Sequence, residues 1–121
     1  MSARETLRSD MVLGFIGLGN MGVPMSRRFI EADWSVIGYD AAGTEERLPV
    51  GAQAAASVVE LTAASDVVLL SLPDGAASNS VSKEIAGAPD PRAAIVIDTS
   101  TIGIDAARTS ANTLSAAGMA Y

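Results

Sequence analysis

Val12-Leu13-Gly14-Phe15-Ile16-Gly17-Leu18-Gly19-Asn20-Met21-Gly22 carries most of the structural information in this chain. The run from Met11 to Ile16 is apolar and reads as a buried strand. Glycines at 17, 19 and 22 follow it directly in G-x-G-x-x-G spacing. Each glycine of that pattern has a mechanical task. Gly17 permits a tight turn out of the strand. Gly19 lets a pyrophosphate approach the backbone. Gly22 lets the next helix pack close to the sheet. That helix would aim unpaired N–H groups and its positive dipole end at the phosphates.

The flanking residues decide whether the glycines mean more than a common turn. Met21, Met25 and Phe29, with Ile30 beside it, recur at helical spacing. Pro24 fits a first helical turn, where its missing N–H is harmless. A second strand is expected over Trp34 to Tyr39, ending in Asp40. An acidic residue about 20 positions beyond the glycines is where a ribose 2′-hydroxyl is bound. The glycines and Asp40 together predict a dinucleotide site. The bland alternative is a glycine-rich βα turn that binds nothing.

The chain has 121 residues, enough for one domain with a modest core. Of these, 49% are hydrophobic and 4% aromatic, so the core is aliphatic. A net charge of −6 argues against nucleic acid or an anionic membrane as a partner. The chain has no cysteine and no histidine. Disulfides, thiolate chemistry, His-based triads and His or Cys metal ligands are therefore excluded. No metal site is expected. No apolar run approaches the roughly 20 residues that span a bilayer. Residues 1–10 are polar and lack the apolar core of a secretory signal. They are expected to form a flexible tail before a folded unit over 11–121, in a cytoplasmic protein.

Further along, helix one is expected from about Asn20 to Ala32, with Arg27, Arg28 and Glu31 on its solvated face. A short helical turn is expected at Thr44 to Leu48, and a weak strand at Gly51 to Ala55. Ser57-Val58-Val59-Glu60 has the form of a capping box, opening a helix to about Ala64. Val67 to Leu72 is a continuous apolar run, as in a buried parallel strand, and Pro73-Asp74-Gly75 breaks it. A helix from about Ala76 to Ala86, a strand over Ala94 to Asp98 and a helix from about Gly103 to Ala117 follow, with Gly118 as C-cap. Met119-Ala120-Tyr121 reads as the opening of one more strand. This alternation predicts an α/β fold, a Rossmann-type doubly wound parallel sheet truncated before its sixth strand. Ligands in such sheets sit at the C-terminal strand ends. The glycine loop, Asp40, Ser71 to Asp74 and Asp98 to Thr101 all fall there.

A carboxylate at Asp40 accepts ribose hydroxyls and repels a 2′-phosphate, so NAD is expected in preference to NADP. Arg47, a little further on, tempers that preference. Leu72-Pro73 reads equally well as a strand terminator and as a wall of the crevice. Asp98 is expected to cap the following loop or helix. Ser100 and Thr101 read both as N-caps of the last helix and as ligand hydroxyls. No catalytic acid or base stands out: Lys83, the only lysine, falls on the outer side of its helix.

Gly14 to Met25 resembles the N-terminal signature of the β-hydroxyacid dehydrogenases, which include 3-hydroxyisobutyrate dehydrogenase and 6-phosphogluconate dehydrogenase. Ser71-Leu72-Pro73 and Ile97-Asp98-Thr99-Ser100-Thr101-Ile102 resemble two further segments of that family, in order and spacing, and the likeness covers residues 11–121. The resemblance implies that Gly17, Leu18, Gly19, Asn20, Met21 and Gly22 form the cofactor loop, largely through backbone. It implies that Leu72 and Pro73 pack near the nicotinamide half, and that Thr101 supplies a hydroxyl close to cofactor and substrate. The implied reaction is metal-free hydride transfer between NAD(P) and a small-molecule 3-hydroxy acid in a homo-oligomeric enzyme. The family's substrate-binding segment, catalytic lysine and helical second domain have no counterpart here, so these 121 residues are expected to lack turnover and to self-associate. Arg28 and Asp33 depart from the family's usual asparagine and glycine. Two other readings remain: a non-catalytic dinucleotide-binding module, and an imine-reductase-like enzyme.

Overall fold

A computed structural model describes residues 11–121. The tail expected over 1–10 lies outside the described residues. The central strand is β1 (Val12–Ile16), and its residues alternate between two cores. Leu13 and Phe15 point to one face of the sheet, where Met25 and Phe29 of helix α1 (Gly22–Glu31) and Trp34 cover them. Phe15, Phe29 and Trp34 form a tilted chain of rings with centroids 5.9 and 6.0 Å apart. Ile16 points to the opposite face, into a larger core with Leu61, Leu70, Ile85, Val96 and Leu114.

The remaining elements in chain order are β2 (Ser35–Tyr39), α2 (Thr44–Arg47), β3 (Gln53–Ala54), α3 (Val58–Ala64), β4 (Val67–Leu70), α4 (Gly75–Ala86), β5 (Ile95–Asp98) and α5 (Ile104–Ala116). The sheet order is β3-β2-β1-β4-β5 and every pairing is parallel. This is the order of a doubly wound dinucleotide fold up to its fifth strand. Beyond β5, Ala120 forms a parallel bridge to Ile95, so the strand expected at Met119-Ala120-Tyr121 begins in the right place.

Helix ends follow local chemistry. Ser57 Oγ accepts the Glu60 N–H at 3.1 Å, while Glu60 reaches back to the Ala56 N–H at 3.2 Å, one residue before the partner of a regular capping box. Asp74, which in sequence reads as part of a chain break at the ligand-facing strand ends, caps α4 by accepting the Ala77 N–H at 2.8 Å. Helix α5 starts after Gly103 with no side-chain cap, so neither Ser100 nor Thr101 caps it. It ends in a Schellman turn: Met119 N–H donates to Leu114 O and Gly118 N–H to Ser115 O, each at 3.0 Å, with Gly118 at φ +82°. Helix α1 ends in the same way, but its left-handed position is filled by Asp33 at φ +67°. Glycine takes that conformation without the Cβ penalty. Asp33→Gly is therefore expected to stabilise the fold by about 1 kcal/mol, read as a higher urea midpoint at unchanged m-value.

At the opposite end of the sheet from the glycine loop, Asp66 ties three strands together. Its carboxylate accepts the Val12 N–H at 2.7 Å and a bidentate pair from Arg92 at 2.8 and 3.1 Å. Desolvation pushes the Asp66 carboxyl up, but the Val12 and Arg92 hydrogen bonds and the Arg92 charge outweigh it, and its pKa falls below 3.8. A lowered native pKa means that this stabilisation is fully present above the unfolded value and fades as pH falls through the native one. Asp66→Ala strands the Val12 N–H and is expected to cost about 1–3 kcal/mol. Arg92→Ala removes a guanidinium that is itself half exposed to water, costs about 0.2–1 kcal/mol and moves the acid-unfolding midpoint to higher pH. Circular dichroism during an acid titration checks both, and equal losses for the two variants would contradict this assignment.

Candidate functional site

The site forms where β1 and β4 stop pairing. Gly17 N–H donates to Tyr39 O and Ser71 N–H to Ile16 O, both at 2.9 Å, so the three strand ends stay aligned to their last residue. The chain then turns sharply at Gly17, which sits at φ +100°. A Cβ there would overlap the Ser71 carbonyl oxygen, and a Cβ at Gly22 would overlap the Gly17 carbonyl oxygen. Both glycines are thus required by the packing of the chain on itself. Gly19 differs: a Cβ there meets nothing within 4 Å. No contact within the protein explains its lack of a side chain.

Asp40 holds the glycine loop from the side. Its Oδ2 accepts the Leu18 N–H and its Oδ1 the Ala42 N–H, each at 2.8 Å. Asp40 N–H donates to Thr44 Oγ1 at 2.9 Å, which fixes the turn into α2. The carboxylate has lone pairs left for further donors, since each oxygen carries about two. Helix α1 begins beyond the loop with no side-chain cap and no acidic residue in its first turn. Its positive end is free for an anion.

A crevice of about 740 Å³ opens over these parts, within the range of small-molecule and cofactor sites. Gly17, Gly19, Asn20, Met21, Asp40, Leu72 and Pro73 all line it. Three sequence candidates do not. Leu18 is in the core at 2% exposure, its side chain against Gly38 and its N–H already held by Asp40. Gly22 is buried behind the loop. Thr101 is exposed and outside the crevice lining.

The far wall was not legible beforehand. Ala77, Ser80, Val81 and Glu84 present one face of α4 to the crevice. Their i, i+3, i+4, i+7 spacing is the available signal, but in sequence it marks only a helix. Arg47 also lines the crevice, its guanidinium 3.0 Å from Gly43 O and 3.7 Å from the Glu46 carboxylate. Lys83 is exposed and is not in the lining. A second groove, of about 610 Å³, runs along β5 beside Ile95, Ile97 and Tyr121. It is largely apolar and lacks the glycine loop. Among the described residues, no group of three or more acidic side chains gathers to hold a metal ion, and no helix is long and apolar enough to cross a membrane.

The sequence model for the NAD binding domain of 6-phosphogluconate dehydrogenase matches residues 12–121. The chain belongs to that family. A Mycobacterium tuberculosis protein named as a probable 3-hydroxyisobutyrate dehydrogenase is 37% identical over 98 residues, covering 79% of this chain and 33% of its own length. The chain thus spans about a third of the curated relatives it matches. The solved structure of a Mycobacterium tuberculosis 3-hydroxyisobutyrate dehydrogenase with L-serine superposes with a TM-score of 0.84 at 33% identity, covering 92% of this chain and 38% of that one. A Streptomyces aurantiacus imine reductase superposes at 0.77 with 26% identity, covering 90% and 38%.

For an NAD(P)-binding domain the observed features fit their group. The one glycine without an internal reason faces the crevice, beside an uncapped helix start and a carboxylate with spare lone pairs. Gly17→Ala is expected to destabilise the domain by about 2–4 kcal/mol through overlap and left-handed strain. Gly19→Ala should leave stability within about 0.5 kcal/mol, as for an exposed substitution without a packing penalty. Thermal unfolding of the two variants side by side distinguishes these roles.

Proposed function

We propose that this chain is the cofactor-binding part of a dehydrogenase that transfers hydride between NAD and a small-molecule 3-hydroxy acid. The observation that carries the reading is Gly19: its missing side chain is unexplained by anything in the protein and is explained by a pyrophosphate. When bound, the nicotinamide cofactor supplies the hydride chemistry. Gly17, Gly19, Asn20 and Met21 hold the pyrophosphate through the loop backbone and the start of α1. Leu18 and Gly22 shape that loop from behind. Asp40 receives the adenosine ribose hydroxyls, and Leu72 with Pro73 walls the nicotinamide half. Thr101 stands beyond the crevice as the hydroxyl that the family resemblance assigns near the substrate.

NAD is preferred to NADP because Asp40 places a negative charge where a 2′-phosphate would sit. Arg47, the one cation among the described residues that line the crevice, is turned to Gly43 O and faces Glu46. The higher identity and TM-score of the Mycobacterium tuberculosis structure support a 3-hydroxy acid over an imine substrate. The reading assigns no catalytic residue to these 121 residues, because Lys83 lies outside the crevice lining. It places the protein in the cytoplasm as a homo-oligomer, which the exposed Ile95 and Ile97 of β5 support.

The test is a fluorescence titration of the 121-residue chain with NADH and with NADPH. NADH should bind at least about tenfold more tightly, a difference of about 1.4 kcal/mol. Asp40→Asn should narrow that ratio, and Gly19→Ala should abolish binding of both at unchanged Tm. Equal binding of NADH by wild type and Gly19→Ala would falsify the reading.

A further inference from the structure

Beyond the crevice residues, a line of hydrogen bonds runs from the end of the described chain to the crevice wall. Tyr121 donates its phenolic O–H to Asp98 Oδ2 at 2.8 Å. The other oxygen, Asp98 Oδ1, accepts the Ser100 N–H at 2.9 Å. Ser100 Oγ then accepts the Leu72 N–H at 2.7 Å. Thr99 braces the same junction, its N–H and hydroxyl both donating to Leu70 O at 2.9 and 2.7 Å. None of Tyr121, Asp98, Thr99 or Ser100 lines the dinucleotide crevice. Each step links a different part of the fold: the bridge residues beyond β5, the C-terminal end of β5, and the segment leaving β4.

Position makes this line more than bracing. Leu72 N–H is the last main-chain donor before Pro73, which has none. Pro73 and then the α4 N-cap Asp74 follow at once. Ser71, one residue before Leu72, presses its carbonyl against Gly17. Ser71 N–H fixes one side of this segment on Ile16 O, and Ser100 is the side chain that holds Leu72 on the other, so the spacing of the Leu72-Pro73 wall from the glycine loop depends on it. The phenol remains a donor well into alkaline solution. Burial, and then the hydrogen bond and charge of Asp98, push the Tyr121 hydroxyl up to about 12.

We propose that Ser100 is a positioning residue for the nicotinamide-side wall of the crevice, oriented by Asp98 and Tyr121. The proposal rests on the reading that the crevice holds a dinucleotide. It predicts a localised effect. The adenosine half lies against Asp40 and α2, away from Leu72, so losing the Ser100 hydroxyl should weaken only ligands that reach the nicotinamide wall.

The experiment is calorimetric titration of the full chain with two probes, NADH and ADP-ribose, the second lacking the nicotinamide ring. Loss of one well-placed hydrogen bond should weaken NADH by about tenfold in Ser100→Ala while ADP-ribose changes by less than about twofold. Ser100→Thr, which keeps the hydroxyl, should restore NADH to within about twofold of wild type. Tyr121→Phe leaves Ser100 and Asp98 in place and should give a smaller loss, about threefold, again for NADH alone. A parallel loss of NADH and ADP-ribose in Ser100→Ala would mean general loosening and would overturn the proposal. So would an unchanged NADH affinity in Ser100→Ala where the wild-type chain binds both probes, and in that case the dinucleotide reading stands. A wild-type chain that binds neither probe overturns both.

Discussion

The architecture depends on a close approach of two main chains at the C-terminal ends of β1 and β4. The Ser71 carbonyl occupies the space that a side chain at position 17 would need. Only a residue with no Cβ and with access to φ +100° can stand there. That single constraint sends the chain over the end of the sheet rather than along it. It also brings the start of α1 against the segment that leaves β4. Gly22 repeats the condition one turn later, against the Gly17 carbonyl. Two glycines thus build the loop. The third, Gly19, is left with open space and an uncapped helix start beside it.

Asp40 serves this loop in two ways that do not compete. Toward the protein, its carboxylate accepts the Leu18 and Ala42 N–H groups and so joins the glycine loop to the end of β2. Toward the crevice, it presents negative charge and unused lone pairs. A carboxylate that already accepts two backbone N–H groups is fixed in orientation before any ligand arrives. Holding a binding group in place in advance reduces the ordering that ligand capture requires. The same economy appears in Leu18, whose N–H serves Asp40 while its side chain fills the core beside Gly38.

The sequence was most legible where one residue type answers one local physical demand. The glycine spacing, the alternating and continuous apolar runs, the Ser57 cap and the Gly118 C-cap all read correctly because each depends on neighbours within a few positions. The parallel, doubly wound character of the sheet followed from the alternation of strands and helices. Long-range partnerships were hidden. Ser100 and Thr101 look like helix N-caps in sequence, yet Ser100 is engaged by the Leu72 N–H, 28 positions away. Gly14 is indistinguishable in sequence from any other residue of an apolar strand, although a Cβ there would collide with Leu61 and Ser65 of the covering helix region. The α4 wall of the crevice is not distinguishable in sequence, because a helix face at apolar spacing is the same signal whether protein or ligand covers it. Leu18 shows the converse: it belongs to the motif by position, but the structure turns its side chain away from the crevice.

The two faces of the sheet are covered unequally, and this separates the site from the weakest part of the fold. On the side of α3, α4 and α5, residues of β1, β4 and β5 are buried together, with Val68, Leu70 and Val96 at 0% exposure. On the side of α1, cover reaches Leu69 of β4 but not its in-register neighbour Ile97 of β5, which is 47% exposed. At the other edge, β3 pairs through only two residues. Local opening begins where few apolar contacts and unpaired edges coincide, so β3 and β5 open before the centre. The glycine loop leaves β1, which is paired on both sides along nearly its whole length. Its anchor points, Tyr39 at the end of β2, Asp40 just after it and Ser71 just after β4, sit at the ends of the strands that flank it directly. The glycine-loop end of the crevice is therefore tied to the most protected part of the sheet. Its opposite wall, at Leu72 and Pro73, depends on a hydroxyl from beyond β5, the less covered edge.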